Sequence, residues 1–171
     1  MQLITFLNIK KIVKQISEHI DSSRIENAIT EAQELDFSPI IGEQLYISIL
    51  EKNGTYTDKY KELMEGCIYE YNGEKYQLRG VKVALCYFAY ARLIKGIDNN
   101  LSRSGFLQKD ADYSIHAVIK ERLAAANEAF DIGSKYALKC LDYINRNSES
   151  FPFQKCTTTK RTKSQFRAIG D

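Results

Sequence analysis

A long stripe of apolar and small side chains near the C-terminal end constrains the fold more than any other feature of the sequence. Its members recur at alternating spacings of four and three residues, the period of a helix that packs along another helix. They are Ile119, Leu123, Ala126, Phe130, Gly133, Ala137, Cys140 and Ile144. Since a glycine inside a helix costs about 1 kcal/mol relative to alanine, Gly133 indicates a close approach between two helices. We predict a helix over residues 113–146, with packing inside one chain favoured over a seam between subunits.

The segment from Gly80 to Gly96 is predicted to form the helix on which this stripe packs. Its side chains are apolar on nearly all sides, and a helix of that kind is a central, buried one. The apolar members are Val81, Val83, Ala84, Leu85, Cys86, Phe88, Ala89, Ala91 and Ile94. Tyr87, Tyr90 and Arg92 give the helix polar groups, which need hydrogen-bond partners wherever they are buried.

Helical periodicity and turn residues predict four shorter helices before residue 66. Asn8 is interpreted as the N-cap of the first, and Ser23 with Glu26 forms a capping-box pattern at the start of the second. The second helix is expected to end before Pro39, because the residue preceding a proline avoids the helical region. The third is expected between Gly42 and the Asn53-Gly54 pair, and the fourth over residues 57–65 with Tyr60, Leu63 and Met64 inward.

The dipeptide Asn72-Gly73 predicts a small β-hairpin near residues 67–78. It lies between two β-favouring runs, Ile68-Tyr69-Glu70-Tyr71 and Lys75-Tyr76-Gln77-Leu78. Asn-Gly is a preferred pair for a type I′ turn, because both central residues need positive φ. A lone hairpin is marginal in water, so this one must lean on helices or on a neighbouring chain. Residues 97–112, which include Asn, Ser and Gly, are predicted to form a connecting loop.

These elements together predict a mainly α fold. It is a helical bundle with a long C-terminal helix packed on a buried central helix, one small β-hairpin and a flexible C-terminal tail. The helical domain is expected over residues 1–150 and the tail over residues 151–171, which has too few apolar residues to fold alone. From Gln154 onward the tail has a net charge of +4, which leaves −2 for the rest of a chain whose total is +2.

The sequence has no pattern that indicates catalysis, a cofactor or a metal. The phosphate-binding, dinucleotide-binding and nucleophile-elbow motifs are absent. The two histidines, His19 and His116, have no second ligand at metal-binding spacing. Carboxylates that are close in sequence, such as Glu31 and Glu34, are interpreted as parts of solvated helix faces. We therefore expect a protein that is not an enzyme and that binds no cofactor.

The cysteines indicate a reducing compartment. None of Cys67, Cys86, Cys140 and Cys156 forms a CxxC pair, and no signal-peptide pattern suggests export. Cys86 and Cys140 fall on apolar helix faces and are interpreted as small core residues. The longest apolar run, residues 83–91, is too short to cross a bilayer. We expect four free thiols, synthesis in the cytoplasm and no membrane partner.

Three blocks of sequence, in this order, resemble a known family. The first is Ile25-x-x-Ala28-x-x-x-Ala32-Gln33-x-x-Asp36 followed by Pro39-Ile40-Ile41-Gly42-x-x-Leu45-Tyr46; the second is Tyr76-x-Leu78-x-Gly80-x-x-x-Ala84-x-x-Tyr87-Phe88-Ala89-Tyr90-Ala91-Arg92; the third is Ser104-Gly105-Phe106-x-x-Lys109. Their order is similar to that in the head-to-tail connector (adaptor, head-completion) proteins of tailed phages. The closest likeness is to neck ring proteins of crAss-like and other Bacteroidales phages, over residues 23–152.

This resemblance implies a structural virion protein made in the host cytoplasm. It would be the protomer of a ring in the neck, expected to be twelvefold, which sits beneath the portal, extends the DNA channel and joins head to tail. The implied partners are other copies of the chain, the portal protein, further neck or tail proteins, and DNA through non-specific contacts. A closing ring needs head-to-tail interfaces, which a protruding hairpin and a terminal arm on a compact bundle can supply.

Two sets of residues are therefore candidates for partner contacts. The tail set, expected to order only on portal or neighbouring subunits, is Phe151, Pro152, Phe153, Lys160, Arg161, Lys163, Phe166 and Arg167. The hairpin set, expected to contact neighbouring subunits, is Tyr69, Tyr71, Asn72, Gly73 and Tyr76.

Two other functional readings of the sequence remain open. The bases of the tail, together with Lys155, could make the chain a nucleic-acid-binding module whose affinity falls steeply with salt. A small helical enzyme would instead need a site assembled from residues that are distant in sequence. A closed pocket with converging, desolvated titratable groups would identify it.

Overall fold

The computed structural model confirms the mainly helical fold with a hairpin. It describes residues 1–13, 16, 20–96, 100–102, 105–107 and 119–151. The helices are α1 (Phe6–Val13), α2 (Ser22–Glu31), a π-helical segment (Ala32–Phe37), α3 (Ser38–Ile41), α4 (Glu43–Glu51), α5 (Asp58–Glu65), α6 (Val81–Gly96) and α7 (Ile119–Arg146). The strands are β1 (Cys67–Tyr71), β2 (Glu74–Leu78), β3 (Asn100–Ser102) and β4 (Gly105–Leu107).

The centre of the fold is the pair α6 and α7, as the apolar patterns predict. Most α6 side chains are buried, including Leu85, Phe88 and Ala89. The α7 stripe is buried at Ala126, Ala137, Cys140 and Ile144, and Gly133 lies against Phe88. The close approach inferred from an interior glycine is thus confirmed.

Leu123 departs from the predicted stripe, because 47% of its surface is exposed. The reason is the unequal length of the two central helices, 16 residues in α6 and 28 in α7. Lys95, one residue before the end of α6, lies over the ring of Phe130. The first turns of α7 therefore extend past the end of α6, and Leu123 has no α6 surface to cover.

The expected helix end before Pro39 is wrong. The chain stays helical from Ser22 to Ile41, because α2 continues into the π-helical segment and then into α3, with Pro39 in its first turn. Ser38 donates its N–H to the carbonyl of Gln33, five residues back. Pro39 lies in the first turn of α3, where proline is tolerated because few N–H groups there have intrahelical partners. The helix ends at Gly42 (φ 89°), which opens α4 as predicted.

Two predicted helix starts also need correction, each by two or three residues. Helix α1 begins at Phe6, and Asn8 Oδ1 accepts hydrogen bonds from Thr5 N at 2.8 Å and Thr5 Oγ1 at 2.9 Å. The cap of α2 is Asp21, whose Oδ1 accepts from Ser23 N at 2.8 Å. Asn8 thus reaches back to the cap from inside the first turn, as the partner residue of a capping box does.

The hairpin formed by β1 and β2 has the predicted turn. Its register pairs Tyr71 with Glu74 around the two-residue loop, where Asn72 has φ 52° and Gly73 has φ 80°. Both angles are positive, as a type I′ turn requires.

A second, shorter antiparallel pair lies in the region predicted as a loop. Strand β3 pairs with β4 over three residues each, with Leu101 opposite Phe106. Strands of this length are too short to show a period of two in the sequence.

No helix in the described ranges is long and apolar enough to cross a membrane.

Candidate protein interaction surface on the hairpin

Two glycines fix the point at which the hairpin leaves the helical body. Gly66 precedes β1 with φ 92° and Gly80 follows β2 with φ 86°. A Cβ atom on Gly66 would lie 2.6 Å from the Leu78 carbonyl oxygen, and one on Gly80 would lie 2.5 Å from the Met64 carbonyl oxygen. No side chain fits at such distances, so the backbones cross in direct contact. The hairpin base is therefore held rigidly against α5 and the start of α6.

The inner face of the hairpin packs on Arg146 at the end of α7. The guanidinium lies 3.8 Å from the ring centroid of Tyr76 and 5.1 Å from that of Tyr71. Its Nη1 donates a hydrogen bond of 3.1 Å to the hydroxyl of Tyr69. The rings of Tyr69 and Tyr76, which are paired across the strands, stack at 5.6 Å. Arg146 and these tyrosines hold the hairpin to the body by cation–π and aromatic contacts.

A buried tyrosine extends this contact into the core. Tyr143 is fully buried and meets the ring of Tyr69 edge-on at 4.9 Å. Its hydroxyl donates a 2.5 Å hydrogen bond to Oε2 of Glu62, which also binds Lys59 Nζ at 3.0 Å. The hydrogen bonds from Tyr143 and Lys59 lower the pKa of Glu62. Burial, together with the carboxylate of Glu62, raises the pKa of Tyr143. The hairpin is thereby linked to both α5 and α7.

The start of the predicted tail belongs to the same core. Phe151 is fully buried, with its ring 5.0 Å from that of Tyr60 and 6.2 Å from that of Tyr143. Assigning Phe151 to the free tail is therefore wrong, since its ring fills the space between α5 and α7. The other tail candidates lie outside the described residues: Pro152, Phe153, Lys160, Arg161, Lys163, Phe166 and Arg167.

The outer face of the hairpin is open to solvent. Ile68 is 73% exposed, and it shares this face with Glu70, Lys75 and Gln77, all exposed. The register places Ile68 opposite Gln77 and Glu70 opposite Lys75. Ile68 is our candidate contact residue for another protein, because it lies on the open face of a strand whose other face is held by Arg146.

The structure divides the predicted hairpin contacts into two groups. Tyr69 and Tyr76 face the body of their own chain, where Arg146 and Tyr143 cover them. Tyr71 is 39% exposed, and Asn72 and Gly73 form the exposed tip. The sequence prediction missed Ile68. The alternation of side chains along a strand could have identified it, because Ile68 must point away from the face that carries the tyrosines.

A groove of about 410 Å³ lies at the base of the hairpin. Its apolar lining comes from Ile68, Leu78 and Val83, and its charged lining from Glu65 and Arg79. Lys82 forms an ion pair with Glu65 beside it. This groove makes the exposed surface continuous from the strand to the first turn of α6.

Arg92, one of the polar residues predicted in α6, has its hydrogen-bond partners within the chain. Arg92 binds Asp36 through two hydrogen bonds, Nε to Oδ2 at 2.6 Å and Nη2 to Oδ1 at 2.9 Å. Its Nη1 also donates to Glu31. Such a forked pair is geometrically specific. It ties the π-helical segment to α6, and Glu31 serves an ion pair instead of being only part of a solvated face.

The cysteines described by the structure are free thiols. Cys86 and Cys140 are fully buried, as predicted, and burial raises the pKa of each to about 12. Cys67 is half-buried, and Cys156 lies outside the described residues, as do both histidines. Among the described residues, no three or more His, Cys, Asp or Glu side chains are grouped to hold a metal ion.

Comparison with known proteins identifies the family. No curated protein and no solved structure gives a significant match to the chain. One family model matches residues 37–163, a range that begins in the π-helical segment and includes the hairpin, α6 and α7. That match covers well over half of the sequence. The chain therefore belongs to DUF6712, a family of unknown function.

Proposed function

We propose that this chain is the protomer of a head-to-tail connector ring, seated beneath the portal of a tailed phage, where it extends the DNA channel. The three sequence blocks that resemble connector proteins support this proposal. The family match carries no function of its own. The geometry adds an independent argument, because it favours contacts with other proteins.

The observation that carries the proposal is a supported hairpin whose exposed outer face carries one large apolar side chain, Ile68, among charged and polar ones. Gly66 and Gly80 clamp the base of the hairpin, and Arg146 binds its inner face. The outer face, with Ile68 73% exposed, is thereby held away from the body. A preorganised surface loses little conformational freedom on binding. Subunits of a ring need such a surface on each copy.

Several residues of the sequence blocks that resemble connector proteins lie where two elements of the fold are connected or in contact. Pro39 to Gly42 form the link between the π-helical segment and α4, and Leu78 to Gly80 form the hairpin base. Arg92, the last residue of the second block, binds Asp36, the last position of the first helical motif. These contacts explain why such residues would recur in proteins of this architecture. They support a shared fold, and the ring function follows from it as a proposal.

The cationic tail is proposed to contact the portal, with DNA of the channel as a second partner. Its bases begin at Lys155, shortly after Phe151, which is anchored between α5 and α7. An extended chain advances at most ~3.6 Å per residue. The twenty residues after Phe151 could therefore span several tens of ångströms, enough to reach a neighbouring subunit.

Removal of residues 152–171, with Phe151 kept, tests the connector role. Wild-type protein should be found in purified particles by mass spectrometry. The truncated protein should stay folded by circular dichroism but be lost from particles, whose DNA-filled heads should then lack tails in electron micrographs. Absence of the wild-type protein from particles, or normal incorporation of the truncated form, would overturn the proposed role.

A matched variant separates docking from charge. Replacing the five bases Lys155, Lys160, Arg161, Lys163 and Arg167 by Gln keeps the length and the aromatic residues of the tail. If the tail acts on DNA, this variant should lose salt-dependent DNA binding in a filter assay. If the tail docks through Phe153 and Phe166, incorporation into particles should persist.

A further inference from the structure

The outer edges of both hairpin strands are available for pairing. Tyr71 and Glu74 flank a two-residue turn, so they form a hydrogen-bonded pair, as do Tyr69 with Tyr76. The residues that alternate with them on β1, Ile68 and Glu70, direct their backbone N–H and C=O groups away from β2. Lys75 and Gln77 do the same on β2.

No other element covers these edges within the described ranges. Among the described residues, no backbone hydrogen bond joins either strand to a helix, a loop or the β3–β4 pair. The residues with outward-pointing backbone groups are also those whose side chains are exposed. Proteins block such edges or use them for pairing with another chain. Here the open edge is rigidly supported, and this favours its use.

The charges on the outer face decide which strands can meet. Glu70 is on β1 and Lys75 is on β2, and they are opposite each other in the register of the hairpin. If β1 met β1 of a second copy about an axis at Glu70, two Glu70 side chains would lie opposite each other, and like charges so placed are destabilising. If β2 met β1 of the next copy, Lys75 would face Glu70 instead.

We infer that neighbouring copies of the chain pair edge to edge, β2 of one with β1 of the next. The register would be antiparallel, with Lys75 opposite Glu70 and Gln77 opposite Ile68, which repeats the register inside each hairpin. This contact joins two different surfaces, so it is head-to-tail and propagates around a ring. The inference rests on the proposed connector ring, for which it names the subunit interface.

Cysteine cross-linking between separate chains tests the register. Full-length Glu70→Cys protein is mixed with full-length Lys75→Cys protein under mild oxidation, and peptide mass mapping identifies the joined cysteines. Opposed residues in a hydrogen-bonded antiparallel pair have Cα atoms ~5.5 Å apart, within the range of a disulfide. The mixed dimer should exceed both like-with-like dimers by at least about fivefold. A mixture of Glu70→Cys with Lys139→Cys, an exposed position on α7, gives the background from random collision.

Charge reversal provides an independent readout of assembly. Glu70→Lys alone should weaken the oligomer measured by light scattering, and the double variant Glu70→Lys with Lys75→Glu should restore it. Glu51→Lys, an exposed charge reversal on α4, should leave the oligomer unchanged. Circular dichroism shows that each variant folds.

Three outcomes would overturn the inferred interface. They are a predominance of Glu70→Cys pairs with themselves, oligomers without the mixed cross-link, and a chain that stays monomeric at every concentration. A ring that lacks the mixed cross-link would leave the connector role standing, because that role is judged by the protein content of particles.

Discussion

Gly133 of α7 lies directly against the ring of Phe88 in α6. A Cβ atom built on Gly133 would be 2.9 Å from Cδ1 and 3.0 Å from Cε1 of Phe88. The ring is fully buried, so it cannot move aside into solvent. This contact sets the separation of the two central helices and explains why a glycine is kept inside α7.

Gly133→Ala is expected to destabilise the fold although alanine favours helices. The gain in helix propensity is at most about 1 kcal/mol, whereas overpacking of a core typically costs about 1–3 kcal/mol. We expect a net loss of about 1 kcal/mol in the free energy of unfolding, measured by urea denaturation. Gly96→Ala is the matched control, since no atom of the described residues lies within 4 Å of its Cβ position. Equal stability changes at the two sites would contradict the packing argument.

Tyr143→Phe should change the dependence of stability on pH. The hydrogen bonds of Tyr143 and Lys59 lower the pKa of Glu62 from its usual 4.5. Their stabilising effect is therefore complete above about pH 4.5 and is lost as pH falls through the lower, folded-state value. Without the Tyr143 hydroxyl, the loss of stability below pH 4.5 should become smaller. At pH 7 the variant lacks the hydrogen bond to Glu62 and should be less stable by about 1 kcal/mol. The loss is no larger because Glu62 is partly exposed.

Thermal or urea unfolding at pH 7 and at pH 3.5 would measure this effect. Tyr136→Phe is the control, since the Tyr136 ring is half-buried and stacks on Tyr87. An unchanged pH dependence in Tyr143→Phe would show that the Tyr143–Glu62 hydrogen bond does not link folding to protonation.

Removing the residues after Phe151 and removing the Phe151 ring itself should have very different results. A chain that ends at Phe151 should unfold at nearly the same temperature as the full chain. Phe151→Ala should lower the free energy of unfolding by about 3 kcal/mol, as is typical when a buried phenylalanine ring is removed. Calorimetry on both variants makes the comparison. If the full-length Phe151→Ala variant kept wild-type stability, the assignment of Phe151 to the core would be wrong.

Arg146→Ala should loosen the hairpin without unfolding the body. The guanidinium contacts Tyr71 and Tyr76 and binds the Tyr69 hydroxyl, so its removal leaves the inner face of the hairpin without a cover. We expect faster amide hydrogen exchange in β1 and β2, with exchange in α6 unchanged. Lys139→Ala on the exposed side of α7 should leave the strands protected. Equal exchange rates in both variants would exclude a bracing role for Arg146.

Local signals in the sequence predicted the elements well and their ends less well. Asn72-Gly73 identified the hairpin because positive φ at two successive residues is a strictly local demand. The helix end predicted at Pro39 is wrong because Pro39 lies in the first turn of α3, a position at which proline is tolerated. The caps at Asp21 and Thr5 were missed because several polar residues near each start could have acted as the cap.

The sequence located the candidate surface on the hairpin but did not show which face of the hairpin is exposed to solvent. The sequence predicts that Tyr69 and Tyr76 contact other subunits, whereas Arg146, 77 residues from Tyr69, covers them from within the chain. No local pattern connects residues so far apart. The most exposed apolar side chain of the hairpin is instead Ile68, which the alternation of side chains along a strand could have identified.

The sequence by itself determined the hairpin, the buried α6 and its packing against α7 at Gly133, because backbone dihedral preferences and the spacing of apolar residues act over a few residues. The tertiary structure alone decided that Phe151 lies in the core, that Arg92 binds Asp36, and that Arg146 and Tyr143 turn the tyrosines of the hairpin inward. Those contacts join residues that are 56 or more positions apart in the sequence. Their energies depend on which surfaces meet once the helices have packed.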